Sequence, residues 1–315
     1  MNNLISKITD CLILIFIKNA KPEKKVSDQV TRRKYAYLEA YVSIIGNLAL
    51  AALKVVLGLT LNSISLLADA AHTAADVLTS IIVLLGFKLS SSPADDKHPY
   101  GHGRVEFIAT FVISLMLLVV GAEFAKSSYS RLISNAEVKG SIGVVAVMLF
   151  GAVFKEWMAR FSIDLGNRTN SPALVADAWH HRTDGIASIL VAVAIIASQY
   201  GYYKVDAIFG LLVSALIIYT GITIALGSVS QLMGEAPGEN ELNEIENIAL
   251  SVSGVSGVHK ISVHNYGYHN EISLHIQVDN GMSLVEAHDL SERVERIIEE
   301  NKNCKAIVHV EPIVE

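Results

Sequence analysis

The chain has 315 residues, 51% of them hydrophobic and only 18% charged, with a formal net charge of −6 and a mean hydropathy of +0.42. That balance departs from a soluble globular protein in the direction of several membrane spans. Two distant cysteines, Cys11 and Cys304, fit neither a disulfide framework nor a CxxC metal site, and both are expected to stay reduced.

The run LILIFI ahead of Lys18 is too short to cross about 30 Å of hydrocarbon. KPEKK follows it in place of a small-residue cleavage pattern, so it reads as an interfacial or disordered start and not as a signal peptide. Lys18, Lys21, Lys24, Lys25, Arg32, Arg33 and Lys34 crowd residues 1–36. Basic residues just before a first apolar span hold that end in the cytoplasm, a simpler reading than a nucleic-acid surface.

Six spans follow at about 37–59, 64–88, 106–127, 140–160, 175–198 and 205–230, each near the roughly 20 residues a spanning helix needs. They define a membrane domain over 37–236 and return the C-terminus to the N-terminal side. The connections Leu89 to Arg104 and Phe161 to Leu174 are then cytoplasmic, and the turns near Thr60 and Tyr200 face out. The presumed outer loop 128–139 carries Arg131 and Lys139, so orientation rests on the N-terminal cluster. Residues 237–315 change texture. GENELNEIENIALSV reads as an amphipathic helix, GVHKISVHNYG and NEISLHIQVD as alternating strands, SLVEAHDLSERVERIIEE as a second helix and CKAIVHVEP as a last strand, a small αββαβ domain. The strand period puts Ile272, Leu274, Ile276 and Val278 on the packed face and His275 and Gln277 on the other.

Within the apolar spans one skeleton occurs twice, ADAAHTAADVLTS at 68–80 and ADAWHHRTDGIAS at 176–188. His72 and Asp76 are four apart and share a helix face, as do His180 and Asp184. If the second and fifth spans face each other, two imidazoles and two carboxylates can close a tetrahedral shell around Zn²⁺ or a similar divalent ion. A carboxylate at a helix centre costs roughly 2.5 to 3.5 kcal/mol, so such residues usually mark an ion or proton path. Asp69 and Asp177 lie three residues before each histidine; on antiparallel helices they would flank the site on opposite sides. A second ligand set, Asp95, Asp96, His98 and His102, lies in the loop DDKHPYGHGRVE. A third comes from the terminal domain, His259, His275, His288, His309 and Glu311, with His309 and Glu311 on the same side of the last strand. His264 and His269, in VHNYGYHNE, read as solvated.

SLLADAAHTAAD, DDKHPYGHGRVE, ADAWHHRTD, SGVSGVH and the closing HVEP together resemble the cation diffusion facilitators, divalent-metal exporters with six spans and a metallochaperone-like cytoplasmic domain. The match runs from about Tyr37 to Pro312. The resemblance implies a transport site of His72, Asp76, His180 and Asp184, and a loop site of Asp95, His98 and His102. It also implies dimer-interface metal sites around His259, His275, His288, His309 and Glu311, in a homodimer that exchanges metal for protons. Two His with two Asp looks like the zinc-leaning version, although imidazole also suits Fe, Co, Ni and Cu. Relatives can carry a charge interlock between the base of the third span and the end of the sixth, for which Arg104 and Glu235 are the residues present. No long His-rich loop separates the fourth and fifth spans, which favours a bacterial-type exporter.

The expectation is efflux of Zn²⁺ from the cytoplasm across the inner membrane, by alternating access in exchange for protons. Fe²⁺, Mn²⁺, Co²⁺, Ni²⁺ or Cd²⁺ are the alternative cargoes. No cofactor is needed beyond the transported or regulatory metal, and no nucleic-acid partner, only lipid and a second copy. A membrane metallohydrolase would need an open coordination corner, and no HExxH occurs. A membrane metal sensor would leave the intramembrane ligands without work.

Overall fold

The computed structural model describes residues 2–17, 22, 25, 26, 28–60, 64–134, 141–200 and 203–313. Lys18, Lys21 and Lys24 of the basic cluster and Lys139 of the presumed outer loop lie outside them. By its contacts the chain forms two compact units, Met1–Leu89 with Val105–Val229, and Ser90–Arg104 with Ser230–Glu315.

Among its described residues the first unit is helical: α1 (Asn2–Phe16), α2 (Gln29–Thr60), α3 (Ile64–Ala75), α4 (Val77–Ser90), α5 (Val105–Ser134), α6 (Ile142–Thr169), α7 (Pro172–Gln199) and α8 (Tyr203–Met233). By length and composition α2, α5 and α6, the stretch Asp69–Ser90 across α3 and α4, and Gly210–Met233 of α8 can each cross a membrane. α7 has the length, 28 residues, and its first half carries Asp177, His180, His181, Arg182 and Asp184. Leu59, Val153, Leu212 and Leu226 point outward and are exposed, as side chains facing lipid should be. The second expected span is interrupted at Asp76. There Thr79 donates its N–H (3.2 Å) and its hydroxyl (2.8 Å) to the Asp76 carbonyl, tightening the helix into an i→i+3 turn.

The α6–α7 hairpin is the centre of the bundle. Asn170 adopts the left-handed conformation (φ 49°) as the α6 cap, a position where asparagine is among the few tolerated residues. Arg32 donates to the Thr169 carbonyl (2.7 Å) and pairs with Glu106 (2.6 Å), joining the start of α2 to the end of α6 and the start of α5. α1 corrects the disordered alternative for the N-terminus. It is a helix whose Ile13 is fully buried in the cluster of Tyr35, Phe87, Phe161 and Leu165, with Asp10 bound to Arg168 at 2.6 Å. Leu14, Ile15 and Phe16 stay exposed, the amphipathic arrangement of an interfacial helix.

The second unit contains α9 (Glu239–Leu250), β1 (Gly257–Asn265), β2 (Asn270–Val278), α10 (Leu284–Asn301) and β3 (Cys304–Pro312). Its sheet order is β1-β2-β3, with β1 antiparallel and β3 parallel to β2. This is the αββαβ arrangement that the strand and helix periods predict. Ile272, Leu274, Ile276 and Val278 are buried with Ile245, Leu290, Val294 and Ile298 of the two helices. Ser283 and Glu286 form a reciprocal capping box at the start of α10. Cys304 is a free thiol that burial and the nearby Glu299 and Glu271 push up to about 11, so it is unreactive near neutrality.

The loop 90–104 is part of this unit. Arg104 donates to the Asn265 carbonyl at 3.1 Å and lies 4.3 Å over the Tyr266 ring, while Tyr100 stacks on the same ring at 4.9 Å. Gly267, at φ +84°, brings its backbone against Gly103 so closely that a β-carbon on Gly267 would meet the Gly103 carbonyl oxygen at 2.6 Å. Arg104 is thus engaged with the β1–β2 turn and not with Glu235, which accepts from Gln231 at 2.7 Å.

Candidate metal centre

The four repeated residues converge inside the first unit. One ligand atom each from His72, Asp76 and Asp184 lie within 4.8 Å of one another. His180 Nε2 lies 3.5 Å from Asp76 Oδ1 and 3.6 Å from Asp184 Oδ2, and His72 Nε2 lies 3.9 Å from Asp76 Oδ1. Asp76, His180 and Asp184 are buried. Neither ring nitrogen of His180 has a hydrogen-bond partner, which leaves both free for a ligand bond. The helix break positions Asp76, and the i,i+4 spacing on α7 aims His180 and Asp184 at the same point.

A lysine also lies there. Lys155, on α6, places Nζ 2.6 Å from Asp76 Oδ2 and 2.8 Å from Asp184 Oδ2, and its side chain is only 2% exposed. The ammonium lies between the two carboxylates, where it holds them by charge-assisted hydrogen bonds. A second lysine, Lys54 on α2, pairs with Asp69 at 2.6 Å and donates to Thr73 at 2.7 Å. A cavity of about 400 Å³ runs over His72, Asp76 and Asp184 and is lined as well by Lys54, Asp69, Lys155 and Glu123. Half-exposed His72 opens onto it.

The cavity reaches only one of the two flanking aspartates. Asp69 lines the cavity, whereas Asp177 is fully buried and lies 3.3 Å from His181. Asp69 pairs with Lys54, and Asp177 lies within 4.8 Å of Glu39 and His181; Glu39 precedes Lys54 by 15 residues on α2, about 22 Å along the helix, so the two aspartates fall toward opposite ends of the bundle. Lys54, Lys155, Glu39 and His181 were missed in the sequence. For the two lysines the available signal was the cost of a charge in an apolar span, at Lys54 in ALAALKVV and at Lys155 in GAVFKEWM.

The soluble ligands form two separate groups. In the loop, His98 Nδ1 and His102 Nε2 lie 3.1 and 3.5 Å from the two oxygens of Asp95. In the sheet, His259, His275 and His309 stand in adjacent register on the three strands. Glu311 reaches all three, at 2.9 Å from His259, 2.7 Å from His275 and 3.8 Å from His309. The hydrogen bond from His275 holds the Glu311 carboxyl below its ordinary range. His288 is not brought to this cluster: it is exposed on α10 beside Glu292 at 3.4 Å. His269 corrects the solvated reading, because it is only 17% exposed beside Glu271 and stacks on Tyr266. Burial lowers its pKa from the ordinary imidazole value.

Comparison with known proteins finds two family profiles, "Cation efflux transmembrane domain" over residues 40–233 and "Cation efflux protein, cytoplasmic domain" over residues 237–313. The "Uncharacterized transporter MJ0449" of Methanocaldococcus jannaschii is 37% identical over 271 residues, 86% of this chain and 96% of its own length. The "Magnetosome protein MamB" of Paramagnetospirillum magneticum is 31% identical, covering 78% of this chain and 83% of its own. The "Manganese efflux system protein MneP" of Bacillus subtilis is 28% identical, covering 88% and 96%.

Proposed function

This chain belongs to the cation diffusion facilitator family, and from that premise we propose that it exports divalent metal ions, zinc first, in exchange for protons. The observation that carries the reading is the convergence of His72, Asp76, His180 and Asp184 at one point inside a helical bundle, three of them buried and His72 facing the cavity. Four protein ligands suit a tetrahedral ion and leave no coordination corner for a catalytic water, which argues for carriage over catalysis. Two imidazoles favour zinc. The two carboxylate ligands and the likeness to a manganese efflux protein support Mn²⁺ as the second cargo to test.

Metal binding needs neutral imidazoles and ionised carboxylates, so loading releases protons and protonation releases metal. Lys155 adds a tethered cation to this exchange. An incoming ion must part the ammonium from Asp76 and Asp184, and when the ion leaves, the ammonium returns and covers two carboxylates that would otherwise face each other in a low-dielectric site. With both termini in the cytoplasm of an inner-membrane protein, the cavity past Lys54 and Asp69 is the exit side. The described geometry is then outward-facing. The loop cluster and the Glu311 cluster are regulatory metal sites in this account, and the terminal domain holds a homodimer.

Flux in oriented proteoliposomes tests the proposal with Zn²⁺, Mn²⁺, Fe²⁺, Co²⁺, Ni²⁺ and Cd²⁺, with and without a pH gradient. Zinc flux driven by the gradient supports it. Flux indifferent to the gradient rejects antiport, and the absence of flux for every ion rejects transport.

A further inference from the structure

A second set of ligand-type side chains lies in the bundle beyond the quartet. Glu39 on α2 and Asp177 and His181 on α7 are each 0% exposed, and one ligand atom from each lies within 4.8 Å of the other two. Glu39 Oε1 accepts from Ser43 at 3.0 Å and also from Ser162. His181 Nε2 lies 3.1 Å from the Ser43 hydroxyl and 3.3 Å from Asp177 Oδ2. Apart from that contact to Asp177 Oδ2, the other side-chain atoms are open: Glu39 Oε2, both oxygens of Asp177 and His181 Nδ1 accept or donate no hydrogen bond among the described residues. Buried polar atoms are paired as a rule, and orphans need an explanation. Four in one cluster, with two carboxylates side by side and no lysine or arginine ion-paired to either among the described residues, make a donor set suited to a cation.

Position says what that cation is for. Arg32 ties the start of α2 to the carbonyl of Thr169, just before α7 begins, so α2 and α7 start at the same end of the bundle. Asp177 lies three residues nearer that end than His180, and His181 three residues nearer than Asp184, a rise of about 4.5 Å in each case. The cluster does not line the cavity that opens the quartet on its Lys54 side. It is the next ligand set away from that cavity.

We propose that Glu39, Asp177 and His181 form a second, occluded divalent-cation site that stages the ion between that end of the bundle and the quartet. The donor set is two carboxylates, one imidazole and the neighbouring Ser43 and Ser162 hydroxyls, richer in oxygen than the quartet and therefore suited to Mn²⁺ as well as Zn²⁺. Closing around an ion at about 2.1 Å brings ligand atoms to roughly 3 Å apart, a small contraction from the present spacing. The staging role rests on the transport reading; the existence of the site does not.

The test is the number of Mn²⁺ ions bound per protomer by the full chain in lipid nanodiscs, taken from the free Mn²⁺ signal in electron paramagnetic resonance. Glu39→Gln should lower the count by one, Asp184→Asn by one, and the double variant by two. Asp177→Asn, which leaves the serine bonds to Glu39 in place, should repeat the Glu39→Gln result and replaces it if that variant does not fold. An unchanged count in the folded Glu39 or Asp177 variant overturns the proposal and leaves a proton shared between the carboxylates. A count that falls with Glu39→Gln and not with Asp184→Asn keeps this site and removes the quartet.

Discussion

Lys155→Met is the most informative substitution in the bundle. The ammonium contacts Asp76 at 2.6 Å and Asp184 at 2.8 Å with 2% of its side chain exposed, so removing it strands two buried carboxylates. Breaking a buried pair by deleting one partner costs about 3–5 kcal/mol, and the metal-depleted variant should be destabilised by that order. A divalent ion supplies the lost charge and no longer competes with the ammonium. Its binding should gain much of the same energy, roughly 100- to 1000-fold in affinity at about 1.4 kcal/mol per tenfold. The assay is Zn²⁺ titration of wild type and variant in nanodiscs, with melting followed before and after metal. Metal should stabilise the variant far more than wild type, and flux should fall because the tighter ion is released slowly. Equal affinities together with an unchanged metal-depleted melting point would refute the view that Lys155 acts as a tethered competitor for the quartet.

Asp184→Asn should reduce flux roughly 100-fold, as loss of about 3 kcal/mol of ligand binding would, while size-exclusion behaviour stays that of wild type because Asp76 still pairs with Lys155. His275→Ala should weaken metal binding by the Glu311 cluster and leave measurable flux, since the quartet is untouched; loss of all flux would reverse the two roles. In the terminal unit, burial lowers the His269 pKa in the folded state. Its contribution to stability is therefore complete above the unfolded value of about 6.5 and is lost as pH falls through the lower folded value. His269→Gln should flatten that slope in a pH series of melts. Arg104→Ala removes the contact over Tyr266 and the bond to Asn265, worth about 1–2 kcal/mol together. Amide exchange at residues 90–104 should accelerate in that variant, and an unchanged rate would show the loop is held by other contacts.

The quartet was legible because its spacing is local. His72 with Asp76 and His180 with Asp184 advertise one face of each helix, and repetition supplies the second helix without any knowledge of packing. The sheet cluster was legible for the same reason, since a period of two assigns His275, His309 and Glu311 to the outer face. His288 was placed with them by residue type alone. The structure puts it on α10, and no pattern within one helix says which cluster it joins. The break at Asp76 depends on a threonine hydroxyl competing for a backbone carbonyl, a substitution of partners that hydropathy does not record. Lys155 and Glu39 were hidden for a different reason. Each shares its helix with other charges, Arg32 and Lys54 on α2 and Glu156 and Arg168 on α6, and repeats no spacing, so its meaning comes only from the residues that other helices bring against it. The N-terminal helix was underestimated because its 15 residues fall short of a span, although one apolar face is enough to dock on α6.

A divalent ion should enter the quartet by displacing the Lys155 ammonium. Anomalous diffraction at the zinc edge from crystals of the full chain grown with Zn²⁺ tests this directly. The expected result is a peak coordinated by His72, Asp76, His180 and Asp184, with Lys155 Nζ moved out of hydrogen-bonding distance of both carboxylates. Zinc confined to the loop and sheet clusters, with Lys155 still bridging Asp76 and Asp184, would contradict it.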